Sequence, residues 1–194
     1  MDRLRDYRAP RDKLGHLCAS GVVVRVRKGL YVSGRVGGGQ AVDPLVLAGL
    51  VYGPSYVSLE TALAWYGLIL ERVEEITSMT SKRAKEFRTP VGRFRYEPVP
   101  ERVYAEGVRL EAAAGGSFFL AEPEKALCDR LAMVRGLTAS REVGGVLEAD
   151  LRVDVGVVCR TFRRDLVAEI ARQYRRKNVS AFHRWLMHQK EGGA

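Results

Sequence analysis

Leu14 and Leu17, with Cys18 beside them, repeat at the i, i+3, i+4 spacing of one helical face. Pro10 opens that stretch at a position where its missing N–H is no loss, and Gly21 ends it where a left-handed residue is wanted. The pattern predicts a helix over 10–20. The period then changes. Val22-Val23-Val24-Arg25-Val26-Arg27 is β-branched and alternates around its arginines, Lys28-Gly29 supplies a turn, and Leu30-Tyr31-Val32 resumes. That predicts a short β-hairpin. A helix followed by a basic hairpin is the local pattern of a winged helix, here with only residues 1–9 ahead of it. Gly34 to Gly39, with Gly37-Gly38-Gly39 consecutive, predicts a flexible linker. The chain therefore divides into a winged-helix-like module over 1–35 and a second domain over 41–194.

In the second domain, Asp43 and Pro44 suit the start of a helix through the apolar run Leu45 to Tyr52, which Gly53-Pro54 breaks. Ser58 is the expected cap of another, Leu59 to Tyr66, ended by Gly67. Tyr56, Trp65 and Tyr66 lie among apolar positions and are expected to pack in the core. Glu75 to Thr80 and Arg93 to Val99 alternate as strands, with a Thr89-Pro90-Val91-Gly92 turn between them, and 107–113 and 117–121 suggest two more. A helix follows from Ala121. Toward the C-terminus Phe162, Leu166, Ile170 and Tyr174 recur every fourth residue, and Val179, Phe182 and Leu186 form a second stripe. The fold class expected is α+β: a winged-helix-like N-terminus, then helices packed on an antiparallel sheet, then a helical C-terminus.

Charge changes this picture by pointing outward. The 194 residues carry a formal net charge of +9, with 46% hydrophobic and 28% charged positions, a composition that can bury a core. Residues 1–35 hold a net +6 and residues 160–190 a net +7, whereas 36–159 hold −3. Two basic ends flank a slightly acidic middle, and basic patches attract polyanions by long-range fields and counterion release. Arg172, Arg175, Arg176 and Lys177 lie off the apolar stripes of the terminal helices and would present a phosphate-tracking face. No apolar run is long enough to span a bilayer, and the first residues have no secretory h-region, so no membrane association is expected. Cys18, Cys128 and Cys159 are odd in number and far apart, which argues against a disulfide framework and for the cytoplasm.

Catalytic chemistry is hard to find. The three histidines are His16, His183 and His188, and the last two are five apart, off the spacing that aligns two ligands on one helical face. No GxSxG, HExxH or GK[ST] string occurs, so the glycine run is no phosphate loop. Glu71, Glu74 and Glu75 cluster without a second acidic motif. No cofactor or metal is expected, and the chain is read as a non-enzyme.

Three stretches together carry a family likeness. They are Arg8-Ala-Pro-Arg-Asp-Lys-Leu-Gly-His-Leu-Cys-Ala-Ser-Gly with the Val22–Val32 hairpin, Gly53-Pro-Ser-Tyr-Val-Ser-Leu-Glu-Thr-Ala-Leu-Ala-Trp-Tyr-Gly-Leu-Ile69, and Phe119-Leu-Ala-Glu-Pro-Glu-Lys-Ala-Leu-Cys-Asp129. Spanning residues 8 to about 130, they resemble the AbiEi-type antitoxins, transcriptional regulators paired with nucleotidyltransferase toxins in bacterial abortive-infection and toxin–antitoxin operons. The resemblance implies a DNA-binding N-terminus, a C-terminal domain that counteracts the toxin, and repression of the operon's own promoter. On that reading the helix from Pro10 enters the major groove with Arg11, Lys13 and His16 outward and Leu14 and Leu17 buried. Arg8 would reach the backbone, and Arg25, Arg27 and Lys28 would contact phosphates from the wing. Repeated half-sites would suit a homodimer on DNA. Two other readings stay open: a protein that sequesters the toxin directly with little DNA binding, and an RNA-associated accessory factor.

Overall fold

A computed structural model describes residues 9–34, 42–71 and 73–189. Helix α1 (Pro10–Ala19) begins at Pro10 and ends before Gly21, whose φ of +72° is the left-handed conformation a helix stop requires. Strands β1 (Val23–Arg27) and β2 (Leu30–Ser33) pair antiparallel around Gly29, φ +82°. Val26 is buried in the main core, and Leu30 and Val32 pack against it, so the hairpin is docked rather than free. Helix α1 differs from its expected role. It has no buried residue, and Leu14 and Leu17 are only half-buried, because two leucines on one helix have no second helix to close over them. Among the described residues α1 is the one helix that precedes the hairpin. Of the expected linker, 35–39 lies outside the described residues, and Gly34 is not loose. It is buried, its N–H donates to the Val22 carbonyl at 2.8 Å, and a Cβ there would fall 1.9 Å from the Gly21 oxygen.

The rest of the chain is α+β, as its patterning predicts. Helix α2 (Pro44–Val51) is capped by the Asp43 carboxylate, which accepts from the Leu45 N–H at 2.7 Å. There follow β3 (Ser55–Val57), α3 (Leu59–Trp65), β4 (Glu75–Thr80), β5 (Lys85–Thr89), β6 (Gly92–Pro98), β7 (Val108–Ala113), β8 (Gly116–Ala121) and α4 (Pro123–Ala132). After short helical turns that include α5 (Val143–Gly145) come α6 (Val155–Thr161), α7 (Arg164–Tyr174) and α8 (Lys177–His188). The six strands from β3 onward form one sheet in the order β5-β6-β4-β3-β8-β7. It is mixed rather than antiparallel throughout: β4 pairs parallel with β6, and β3 with β8. The cause is β5, which the Thr89–Gly92 turn joins to β6 as a hairpin, so that β6 returns alongside β4 in the same direction.

Strand alternation assigns the layers. Tyr56 stands opposite Met79, and Val57 opposite Ser78 beside Tyr96, so Tyr56 and Tyr96 leave opposite faces of the sheet. The Tyr96 hydroxyl donates to the Ala48 carbonyl of α2 at 2.7 Å, and the Tyr56 hydroxyl donates to Asp129 of α4 at 2.9 Å. Helix α2 therefore covers one face, while α4, with α7 and α8 packed on it, covers the other. Ile170, Tyr174, Val179, Phe182 and Leu186 are buried, as their periodicity predicts. Trp65 departs from expectation. It is 46% exposed, with its ring edge-on to Phe118, centroids 5.7 Å apart.

Candidate nucleic-acid interface

The described basic side chains of the N-terminal segment reach solvent. Arg11, Lys13 and His16 are exposed on α1, and Arg25, Arg27 and Lys28 are exposed on the hairpin that α1 packs against. Val26 points into the core between Arg25 and Arg27, which is why the two arginines emerge outward. Among the described residues, Arg11, Arg25, Arg27 and Lys28 have no carboxylate within ion-pair distance. Arg27 instead donates to the Leu50 main-chain carbonyl in the last turn of α2, at 3.4 Å. Arg8 lies outside the described residues.

The C-terminal cluster is held more tightly. Arg172 grips Glu169 with both its Nε and Nη2, the shortest contact being 2.5 Å, which raises the guanidinium's pKa and lowers the carboxyl's. Arg176 donates to the Ala132 carbonyl at 2.8 Å and so caps the end of α4. Arg163 is bound by Glu124 and Glu122, and Arg164 donates to the carbonyls of Leu186 and Gln189. Arg175, in the left-handed conformation that ends α7, and Lys177 are exposed. This cluster rests on α4, whereas the hairpin reaches α2, so among the described residues the two basic clusters lie over opposite faces of the sheet.

What joins the hairpin is a segment that sequence averages conceal. Residues 81–86 are exposed without interruption, and Lys82, Arg83 and Lys85 stand among them. Lys82 donates to the Gly53 carbonyl at 2.5 Å, just past α2, and its Nζ lies 5.5 Å from the Tyr52 ring centre. Lys85 lies 5.6 Å from the same ring and 5.2 Å from that of Phe87. The signal was present as a local Lys-Arg-Ala-Lys run, but a net −3 over 36–159 hides it.

A second cluster of charge is wholly interior. Asp129 and Lys125, one turn apart on α4, are both fully buried, with Nζ 2.9 Å from Oδ1. The carboxylate also accepts from the hydroxyls of Tyr174 at 2.9 Å, Tyr56 at 2.9 Å and Ser58 at 2.7 Å. Burial, followed by the charge of Asp129, pushes both phenols well above their ordinary pKa, so they remain proton donors. With two donors on each oxygen and the ammonium against both tyrosine rings, the network clamps the sheet to α4 and α7. Ser58 thus departs from its expected capping role, its hydroxyl being directed to Asp129. The sequence signal was a Lys and an Asp placed i, i+4 on the same helical face as the apolar positions of Pro123–Ala132.

The glutamate cluster is dispersed: Glu71 pairs with Arg152, Glu74 with Arg93 and Glu75 with Arg95. His16 is exposed, and partial burial lowers the pKa of His183. Among the described residues no group of three or more His, Cys, Asp or Glu is placed to hold a metal ion, and no helix is long and apolar enough to cross a membrane. A mostly apolar groove of about 250 Å³ runs between α2 and β8, lined by Leu45, Gly49, Leu50, Pro54 and Phe119 among others. No known protein-family profile matches the chain, and no curated protein matches it.

Proposed function

We propose that this chain is a DNA-binding antitoxin: it represses its own operon and neutralises a nucleotidyltransferase toxin, acting in the cytoplasm without catalysis of its own. The observation that carries the reading is the exposed set of cations on α1 and the hairpin, most of them without carboxylate partners, in a chain whose sequence resembles the AbiEi-type regulators. Positive charge held unpaired at a surface is self-repulsive until an anion arrives, and duplex DNA supplies a dense row of them. Arg11, Lys13 and His16 present donors from a helix toward the major groove, and Arg25, Arg27 and Lys28 present donors from the wing toward phosphates. Two protomers would occupy repeated half-sites.

The reading is tested in cells. Expression of the chain represses a reporter fused to its own upstream sequence and restores growth when the adjacent nucleotidyltransferase is induced. An indifferent reporter together with unrelieved growth arrest would overturn it. Direct toxin contact is favoured by a separate observation, the apolar groove beside α2, where Leu50 and Phe119 are each more than half exposed. Co-purification of the two proteins, lost with Leu50→Asp, is the outcome that supports sequestration over an indirect route.

A further inference from the structure

Two cations converge on the C-terminal end of α2 from distant parts of the chain. Arg27 reaches the Leu50 carbonyl, and Lys82 reaches the Gly53 carbonyl. Tyr52 lies between those carbonyls and gathers Lys82 and Lys85 at its ring. Its edge packs on Tyr96, centroids 5.2 Å apart, and the Tyr96 hydroxyl lies in the field of Arg27, which opposes the rise that burial imposes on its pKa. Hairpin and β4–β5 turn are therefore neighbours on one stretch of surface, on the α2 side of the sheet.

Part of this charge serves the fold, since Arg27 and Lys82 sit at the negative end of the α2 dipole. That role leaves Arg25, Lys28 and Arg83 unexplained, and Lys85 is occupied only by ring faces. Among the described residues none of the six cations has a carboxylate partner, although the chain supplies such partners to Arg93, Arg95, Arg109, Arg130, Arg152, Arg163 and Arg172. Unpaired cations collected in one place mark a site for a polyanion.

We propose that DNA bound by the hairpin continues onto the turn between β4 and β5, where Lys82, Arg83 and Lys85 hold phosphates beside those held by Arg25, Arg27 and Lys28. The proposal rests on the DNA-binding reading above and adds the half of the footprint that the main domain contributes. Duplex rather than single-stranded nucleic acid fits the turn, because the two rings beside it, Tyr52 and Phe87, are covered by its own lysines and not offered to a base. Tyr52 and Phe87 are half-buried, Lys82 and Lys85 lie against the Tyr52 ring, Lys85 lies against Phe87 as well, and Tyr96 packs on both. Hairpin and turn are both braced on folded elements, as contact with a regular phosphate backbone requires.

The test uses the full chain, a fluorescent duplex of about three helical turns, and anisotropy across a salt series. Lys82→Gln/Arg83→Gln/Lys85→Gln is compared with Arg25→Gln/Lys28→Gln and with a charge-matched control, Arg135→Gln/Arg141→Gln/Arg184→Gln, at exposed positions elsewhere. Each lost phosphate contact reduces the slope of log K against log salt by about 0.9, so the turn variant is expected to flatten by about 2.7 and the control to match the wild type. Arg83→Gln/Lys85→Gln, which leaves the Lys82 cap on Gly53 in place, should flatten by about 1.8 and guards against a folding defect. A hairpin variant that flattens while both turn variants track the control overturns this inference and leaves the DNA-binding reading intact. A wild-type protein with no salt-dependent affinity for the duplex overturns both.

Discussion

Asp129 shows how much of this fold depends on one side chain. A carboxylate taken wholly out of water is tolerable only when its lone pairs are filled, and here Lys125, Tyr174, Tyr56 and Ser58 fill them. Asp129→Asn leaves a buried ammonium without its counter-charge, and a loss of about 3–5 kcal/mol in urea-unfolding stability is expected. Tyr174→Phe removes one hydrogen bond to a charged group and should cost about 1.5–3 kcal/mol. If the two substitutions weaken the fold independently rather than through a shared network, their effects will add in the double variant; coupling predicts that they do not. The raised phenol pKa values give a pH signature with a definite sign. Folded Tyr56 and Tyr174 keep their protons where the unfolded chain releases them, so stability is full below about pH 10 and falls as pH rises further. Tyr56→Phe/Tyr174→Phe should lower stability at neutral pH but flatten its alkaline decline, which urea titrations at several pH values would read. Nearby, Leu59 holds a φ of +56° with its side chain fully buried, a left-handed residue that costs on the order of 1 kcal/mol. It follows directly on Ser58, whose hydroxyl is fixed by Asp129.

At the level of elements, punctuation was easier to read than pairing. Gly21 and Gly29 take up the left-handed conformations that end α1 and turn the hairpin, and Asp43 and Pro44 start α2 as their residue types require. Strand β5 escaped notice because Lys85-Glu86-Phe87-Arg88-Thr89 lies at a sheet edge, where only Phe87 has a core to face. Strand β3, three residues long, is shorter than any periodicity can register. The parallel pairings of β3 with β8 and β4 with β6 join segments whose partners are set by the folded chain and not by local alternation. The Asp129 network is likewise assembled from β3, the residue after it, α4 and α7, so no single window displays it. The close of the hairpin offers a local test. Gly34 approaches the Gly21 backbone too closely for any side chain, so Gly34→Ala must shift β2 or its neighbour. Lowered stability, and faster amide exchange at residue 34 and at Val24 than in the wild type, are expected; an unchanged exchange pattern would show that the hairpin does not depend on that contact.

For the whole molecule, the net charge of +9 resolves into unlike parts. The terminal helices carry much charge, but Arg163, Arg164, Arg172 and Arg176 are engaged with carboxylates or helix-end carbonyls, which makes that surface less available than its sequence suggests. The hairpin's cations are uncompensated and gain neighbours from a middle segment whose average charge is slightly acidic. Burial of Val26 places Arg25 and Arg27 outward, so the position of the charge follows from the packing of the hairpin on the core. The central claim, that this surface binds DNA, is tested most directly by the affinity of the full chain for duplex from its own upstream region, measured against salt for the wild type and Arg25→Gln/Lys28→Gln. The account predicts a steep fall in affinity with salt and a slope flatter by about 1.8 in the variant, with unfolding midpoints unchanged. Affinity indifferent to salt, or a variant whose slope equals that of the wild type, would contradict it.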